Sequence, residues 1–344
     1  MQQIFLLQLG YGSVGKEFVR QLHAQRDHLQ QLGIDLRLTA IATSTQYRRI
    51  SGDVDPMREP TWDGTHAGWG DLKNKVGYTP AMIVVDMSAA ETSAIHRDVI
   101  EHGGVVVTAN KKPLTDHMDV YRVLHGDTKQ YFYETTVGSS TPVIQTLQDI
   151  VATGDEVREI QALLSGTLGF LCSELRKPNA MFSDIVSRAK AQGYTEPHPR
   201  DDLSGLDVAR KALILGREIG RSLELSDIHL EGLVSKEIEA IDDVSKFLTA
   251  LKELDHEYAD KVRGWQKEGK VPQFVARITK DGIHVGLEGV PQASPLGRLE
   301  GPENLVTFRT RIFDASPLVL QGRGAGATYT AAGVLSDVIR AVRV

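Results

Sequence analysis

Ile4-Phe5-Leu6-Leu7-Gln8-Leu9-Gly10-Tyr11-Gly12-Ser13-Val14-Gly15 decides how this chain folds. Residues 4–9 are apolar except for Gln8, the pattern of a strand covered on both faces. The glycines then follow the spacing G-x-G-x-x-G. From Gly15 a helix is expected, with Val14, Phe18, Val19 and Leu22 at helical spacing. Strand, glycine turn and helix together open a nucleotide-binding βαβ unit. The glycines allow a tight turn and close backbone approach to a pyrophosphate, and the helix N-terminus supplies amide donors and a positive dipole. Taken alone the pattern is common, and a plain structural turn is the competing reading.

Working outward, residues 36–42, 81–85 and 104–108 read as further strands, alternating with amphipathic runs as βαβ units do. Residues 48–79 are rich in Gly, Pro, Asp and Trp and read as an irregular connection over the cofactor edge. The middle is helical at 142–150, 181–191 and 206–220. A charged helical region at 226–260 carries Val234, Ile238, Ile241, Val244, Phe247 and Leu251. Residues 271–290 alternate on either side of Asp281-Gly282, a strong hairpin signal. Strands at 305–313 and 318–321 follow, then a Gly/Ala-rich stretch, 322–328, and a short helix through Ile339. The expected fold is α/β: a Rossmann-type doubly wound nucleotide domain at 1–140 and an α+β substrate-binding and dimerisation domain at 141–318. That second domain should hold a mixed or antiparallel sheet, with residues 319–344 returning to the first domain.

The chain has 344 residues and a formal net charge of −6, so two domains fit and no electrostatic footprint for nucleic acid or an anionic membrane is visible. The apolar start is too short for a membrane span and lacks a basic leader. Cys172 is the sole cysteine, which excludes an intrachain disulfide or a thiolate zinc cage and suits a reducing, cytoplasmic setting. The second strand ends Ala42-Thr43-Ser44 without the carboxylate that would hold ribose hydroxyls, and Asp35 stands at the wrong end. With Arg48 and Arg49 close behind, NADP should be accepted and NAD remains open. A solvated loop would equally explain the arginines.

The richest stretch runs from Gly193 to Lys211, Gly-Tyr-Thr-Glu-Pro-His-Pro-Arg-Asp-Asp-Leu-Ser-Gly-Leu-Asp-Val-Ala-Arg-Lys. Two prolines should hold 196–200 extended, and Ser204 should cap the next helix. Asp207 and Lys211 are four apart and share a helix face. That helix also carries Leu206, Val208, Ala209, Ala212, Leu213, Ile214 and Leu215, so it should be buried, and a buried ammonium and carboxylate need a reason. A surface ion pair worth roughly 0.3–0.5 kcal/mol is the bland reading. Reduction of an aldehyde is the functional one: a lysine can stabilise charge growing on the carbonyl oxygen and deliver a proton, while carboxylates hold a substrate ammonium.

The glycine loop, Ala109-Asn110-Lys111-Lys112, Tyr133-Glu134-Thr135-Thr136-Val137-Gly138, Ser165-Gly166-Thr167-Leu168, the Glu196-to-Lys211 block and the Gly/Ala-rich ending together resemble homoserine dehydrogenases, in that family's order and over nearly the whole chain. The resemblance implies reversible NAD(P)H-dependent reduction of L-aspartate 4-semialdehyde to L-homoserine, in the aspartate-derived threonine and methionine route. By the same resemblance Lys211 is the proton donor, with Lys111 near the nicotinamide as a second candidate contributor, and Glu196 and Asp207 bind the substrate amino group. Gly10, Tyr11, Gly12, Ser13, Val14, Gly15, Ser88, Ala89, Lys111, Gly193 and Gly326 fall at cofactor positions. Glu134, Val137, Ser139 and Thr141 fall where the family can hold Na+ or K+, largely through backbone carbonyls, with an ordinary loop as the alternative. A homodimer is implied too. Ser165 and Gly169 depart from asparagines frequent in bacterial members, which points towards the fungal-type branch, and Tyr11 and Ser13 replace more usual small or apolar residues. Without a kinase segment before it or an ACT segment after it, the chain is expected to be a stand-alone catalytic unit.

Three other functions compete. A phosphorylating aldehyde dehydrogenase would need Cys172 as a nucleophile, although no histidine lies within several residues of it. A 2-hydroxy-acid dehydrogenase would need a histidine base, and His198 between two prolines is the one tempting candidate. A non-catalytic nucleotide sensor would keep the glycine loop but have no use for the carboxylate–lysine helix.

Overall fold

Apolar runs bounded by glycine turns become parallel strands in the computed structural model, which describes residues 2–52, 58–126 and 130–343. Two compact units emerge: Met1–Thr141 with Gly326–Val344, and Pro142–Ala325. The first unit is a seven-stranded sheet built from β1 (Gln2–Leu9), β2 (Ile34–Ala42), β3 (Gln46–Arg49), β4 (Gly64–Thr65), β5 (Ile83–Asp86), β6 (Val105–Thr108) and β7 (Tyr131–Phe132), in the order β4-β3-β2-β1-β5-β6-β7. Pairings from β2 to β7 are parallel, while β3 and β4 add an antiparallel edge. The strand order reverses direction between β1 and β5, which is where doubly wound sheets bind ligands.

Leu6, Leu7, Val84, Val85, Val106 and Val107 are fully buried, as expected of strands covered on both faces. Phe18 and Val19 of the Ser13–Ala24 helix close one side of this core, together with Ala331, Val334, Leu335 and Val338 of the Ala327–Arg343 helix. That helix has 17 residues and is not the short one expected from sequence. Residues 48–79 also correct the expectation of an irregular connection. They contain the end of β3, β4 and a helix at Trp69–Val76, while 53–57 lie outside the described residues. The signal was hidden because β3 and the edge strand β4 are short and show little apolar periodicity.

The second unit holds a six-stranded mixed sheet: β8 (Val157–Leu163), β9 (His229–Leu230), β10 (Lys270–Thr279), β11 (Gly282–Pro291), β12 (Glu303–Thr310) and β13 (Leu318–Arg323), in the order β13-β12-β8-β10-β11-β9. Ile160, Ala162, Phe274, Ala276, Val285 and Phe308 make one face wholly buried. The helices Gly166–Leu175 and Leu206–Glu218 pack on β10. The opposite face carries a charged ladder, with Arg277 bonded to Glu159 at 2.5 Å and to Glu288 at 2.7 Å.

The β10–β11 hairpin exists, but Thr279 pairs with Gly282, so the turn residues are Lys280-Asp281, one earlier than the sequence signal suggested. The helical region at 226–260 is broken. Its pieces are β9, Lys236–Glu239 capped by Ser235, Val244–Ala250 capped by Asp243, and Asp255–Lys267. Side-chain caps restart the first two helices, while Asp255–Lys267 follows a 3-10 turn at Leu251–Leu254, and periodicity alone registers neither device. Among the described residues no helix is long and apolar enough to cross a membrane.

Candidate active site

In the first unit the glycine loop does what its spacing requires. Gly10 has φ +92°, and a Cβ there would sit 2.8 Å from the backbone of Met87 and Ser88, at the end of β5. A Cβ on Gly15 would run into the Gly10 carbonyl oxygen. Gly12 is the N-cap of the Ser13–Ala24 helix, and among the described residues nothing comes within 4 Å of a Cβ placed on it. A helix of 12 residues with no acidic side chain in its first turn therefore faces open space across a glycine, a fitting cradle for a pyrophosphate. Buried Gln8 braces the loop by donating from Nε2 to the carbonyls of Gly10 (2.9 Å) and Gly15 (3.2 Å). Tyr11 meets Trp62 edge-on at 6.2 Å, so the departure at this position is filled by aromatic packing. Ser13 and Val14 start the helix.

Ser88 and Ala89 follow β5, and the Ser88 N–H donates to Asp86 Oδ1 at 2.8 Å. Asn110 Nδ2 donates to Asp86 Oδ2 (3.2 Å), Thr92 Oγ1 (3.0 Å) and the Ala90 carbonyl (2.9 Å), which holds the turn bearing half-buried Lys111 beside that segment. β2 ends at Ala42, and exposed Ser44 lies in the turn to β3. Arg48 and Arg49 sit on β3, and the charge of Arg48 is felt at Tyr11. Asp35 is buried at the far end of β2 and bonded to Arg37 at 2.9 Å.

The segment that resembles a monovalent-cation loop is tied to the C-terminal helix. Buried Glu134 pairs with Arg340 at 3.4 Å, its N–H donates to Asp337 Oδ2 at 2.9 Å, and Ser139, at φ +58°, shares a hydroxyl hydrogen bond with Thr330 at 3.0 Å. The Glu134 carboxylate is thus engaged by a guanidinium. Any cation here would rely on backbone oxygens of Val137, Ser139 and Thr141. Gly326, at φ +116°, precedes the same helix.

In the second unit Lys211 lies in the middle of the Leu206–Glu218 helix and is 8% exposed. Its Nζ donates to the Leu164 carbonyl just beyond β8 at 2.6 Å and pairs with Asp207 at 2.8 Å. Asp207 is not buried as expected: its side chain is half exposed, because it belongs to the first turn at the helix rim. Ser204 does not cap that helix through a conventional N-cap. Gly205, at φ +71°, holds the position, and Ser204 closes a short turn of helix at Arg200–Leu203.

Residues 196–200 are not uniformly extended either. Pro199 adopts the α region and starts that turn, since proline restricts the residue before it and leaves its own ψ free. Glu196 is exposed, and its N–H donates to Asp202 Oδ2 at 2.8 Å. Asp202 was missed by the sequence reading, although it stands inside the quoted block. Burial pushes its carboxyl above the usual range, and the charges of Glu196 and Asp201 add to this. Thr167, in the first turn of the Gly166–Leu175 helix, donates to the Tyr194 carbonyl at 2.6 Å and also reaches Asp202. Gly193, at φ +74°, ends the Phe182–Ala191 helix. Lys211 and Asp207 thus meet the Leu164 carbonyl just before the helix N-terminus capped by Ser165, and Thr167 in the first turn of that helix reaches Asp202, beside Glu196.

The rival nucleophile and base fall away. Cys172 is wholly buried, and burial pushes its thiol up to about 12, so no thiolate is available at neutral pH. His198 is a structural residue: Nε2 meets the Ile241 carbonyl at 3.1 Å, Nδ1 accepts the Arg200 N–H at 3.2 Å, and the ring packs edge-on against Phe247.

Two family models match, one described as homoserine dehydrogenase over residues 142–339 and one as homoserine dehydrogenase, NAD binding domain, over residues 10–131. The homoserine dehydrogenase of Saccharomyces cerevisiae is 34% identical, covering 96% of each chain. The bifunctional aspartokinase/homoserine dehydrogenase of Haemophilus influenzae is also 34% identical over 97% of this chain, which spans 42% of that relative's length. Among solved structures, a Candida auris protein of unknown function superposes with TM-score 0.91 at 27% identity, covering 100% of this chain and 99% of the other. A hyperthermophilic archaeal homoserine dehydrogenase in complex with NADPH shares the fold at TM-score 0.77 and 21% identity, over 99% and 98% of the two chains.

Proposed function

The chain belongs to the homoserine dehydrogenase family, and from that premise we propose that it interconverts L-aspartate 4-semialdehyde and L-homoserine, with Lys211 as proton donor to the carbonyl oxygen. The observation that carries this reading is the buried ammonium of Lys211, fixed by the Leu164 carbonyl and Asp207. An ammonium costs several kcal/mol to bury unless its partners compensate, so a helix that retains one in its apolar middle is retaining it for chemistry. Bound NAD(P)H supplies a hydride to the carbonyl carbon. As the oxygen gains charge, Lys211 meets it with a preset N–H and transfers a proton; in reverse, neutral Lys211 accepts the hydroxyl proton of homoserine. Asp207, half exposed at the rim, and exposed Glu196 suit the substrate ammonium, with Asp202 as a third carboxylate of the same cluster. Lys111, on the turn after β6, contributes near the nicotinamide.

NADP is accepted because Ala42-Thr43-Ser44 closes β2 without a carboxylate, and Arg48 and Arg49 offer charge to a 2′-phosphate. Na+ or K+ on the carbonyls of Val137, Ser139 and Thr141, a homodimer and a cytoplasmic setting belong to the same reading.

The test is kinetic. Lys211→Ala should lower kcat by roughly 10²–10³-fold with the NADPH Kd nearly unchanged. Asp207→Ala and Glu196→Ala should act chiefly on the homoserine KM. Full turnover by Lys211→Ala together with loss in Lys111→Ala would move the proton donor to Lys111. No nicotinamide turnover with homoserine by the folded wild-type chain would end the assignment.

A further inference from the structure

On the charged face of the second sheet, away from Lys211 in sequence, two histidines stand side by side. His229 of β9 pairs in parallel register with His284 of β11, and their rings stack at 5.0 Å and 24°. Glu231 lies two residues beyond His229, on the same side of the strand path. Its Oε1 is 2.9 Å from His229 Nε2 and 3.6 Å from His284 Nε2. One ligand atom from each of the three residues falls within 4.8 Å of the others. Two more features shape the cluster. Glu288 Oε1 lies 3.4 Å from His284 Nδ1, placed to orient the ring through its other nitrogen. Gly286 leaves room for the approach, since a Cβ there would be 3.2 Å from both Glu231 Cβ and His284 Cε1.

We propose that His229, Glu231 and His284 bind a divalent transition-metal ion, Zn2+ being the representative, with solvent in the remaining position. Two imidazoles and one carboxylate are a donor set for a borderline-soft cation, and Mg2+ or Ca2+ would prefer an all-oxygen cage. Tetrahedral Zn2+ with bonds of about 2.0–2.2 Å needs donor atoms about 3.3–3.5 Å apart, a small rotation from the observed spacing. The carboxylate behind His284 is the outer partner that metal-bound histidines regularly have. Glu231 Oε1 already faces His229 Nε2 at hydrogen-bond distance, and a metal ion would take the place of the proton shared there.

The consequence is mechanical. β9 is a two-residue edge strand, and the ion would join it to β11 through side chains. The same segment leads to Leu233, whose N–H donates to the Leu203 carbonyl at 2.8 Å, two residues before Gly205 and the Lys211 helix. Metal would therefore stiffen the approach to the carboxylate cluster without entering it.

The full chain, stripped with chelator, should be titrated with Co2+ while visible absorption is followed, then with Zn2+ in competition and with melting temperature as a second readout. One equivalent should bind with a Kd on the order of micromolar, and Zn2+ should raise the Tm by a few degrees through mass action. His284→Gln and His229→Gln should each weaken binding at least about tenfold, and Glu288→Gln should do so more mildly. His102→Gln, an exposed histidine in the other unit, is the control and should bind as the wild type does. Circular dichroism distinguishes misfolding from ligand loss. Absence of Co2+ or Zn2+ uptake by the folded wild type, or equal uptake by folded His284→Gln, overturns the proposal.

Discussion

Asp86 closes β5 with both carboxylate oxygens engaged. Oδ1 accepts the Ser88 N–H, and Oδ2 accepts Thr92 Oγ1 at 2.7 Å and Asn110 Nδ2 at 3.2 Å and faces His96 Nε2 at 2.9 Å. His96 in turn meets the Tyr131 hydroxyl at 2.8 Å. Burial pushes the Asp86 carboxyl up, yet hydrogen bonds from His96, Ser88 and Thr92 outweigh it and leave the group below its ordinary 3.8. A carboxyl depressed in the folded state stabilises the fold at neutral pH and loses that contribution as pH falls through its folded value. Wild-type urea midpoints should therefore drop below about pH 4 more steeply than those of Asp86→Asn, which should already be weaker at pH 7 by roughly 1–3 kcal/mol through mismatched donors. Parallel profiles would show that Asp86 is not part of the acid limb. Ser44 carries the other prediction at this scale. Ser44→Asp should raise the NADP KM much more than the NAD KM by repelling a 2′-phosphate, and equal changes would mean that the end of β2 does not face the adenosine ribose.

Among the elements, the Leu206–Glu218 helix depends on how it starts. Gly205 takes a left-handed conformation, and a Cβ there would sit 2.7 Å from Cζ of Phe274, a buried ring of β10. Gly205→Ala should cost about 1–2 kcal/mol for the backbone and about 1–3 kcal/mol for overpacking, read as a lower urea midpoint. Because Lys211 lies under two turns away, kcat should fall as well, while the NADPH Kd stays near its wild-type value. An unchanged midpoint would show that Phe274 yields freely. Sequence periodicity located this helix, but its cap was assigned to Ser204. The left-handed glycine could not be seen without the ring that makes it necessary.

At the scale of the molecule, the nucleotide unit is discontinuous in sequence. Its core joins Phe18 and Val19 to Ala331, Val334 and Val338, more than 300 residues apart, and Gln21 Nε2 reaches the Thr328 carbonyl at 2.9 Å. Each buried aliphatic side chain stabilises by roughly 1.5–3 kcal/mol, so the Ala327–Arg343 helix holds a large part of this unit's margin. A chain ending at Ala325 should lose NADPH binding and amide-exchange protection of β1 and β5. Retention of both would show that the first 141 residues fold by themselves.

Much of this protein is legible in its sequence. The strand–glycine–helix opening is local physics: glycine is needed where the backbone must approach Met87 and Ser88, and a strand covered on both faces must be apolar throughout. The Asp207–Lys211 pair was legible for the same reason, since four residues along a helix is a fixed distance. The sequence reading also placed Glu196 in that block, but not the neighbours of Lys211. Leu164 is 47 residues earlier, and the carbonyl that holds the ammonium is presented by the end of β8. Nor could it foresee that Asp202 would be half-buried, that Asp207 would remain half exposed, or that Glu134 would meet an arginine from the chain's last helix. Residue type and spacing determine which group can do the chemistry. Burial, partner and charge state depend on segments distant in sequence, and only the packed chain brings those together.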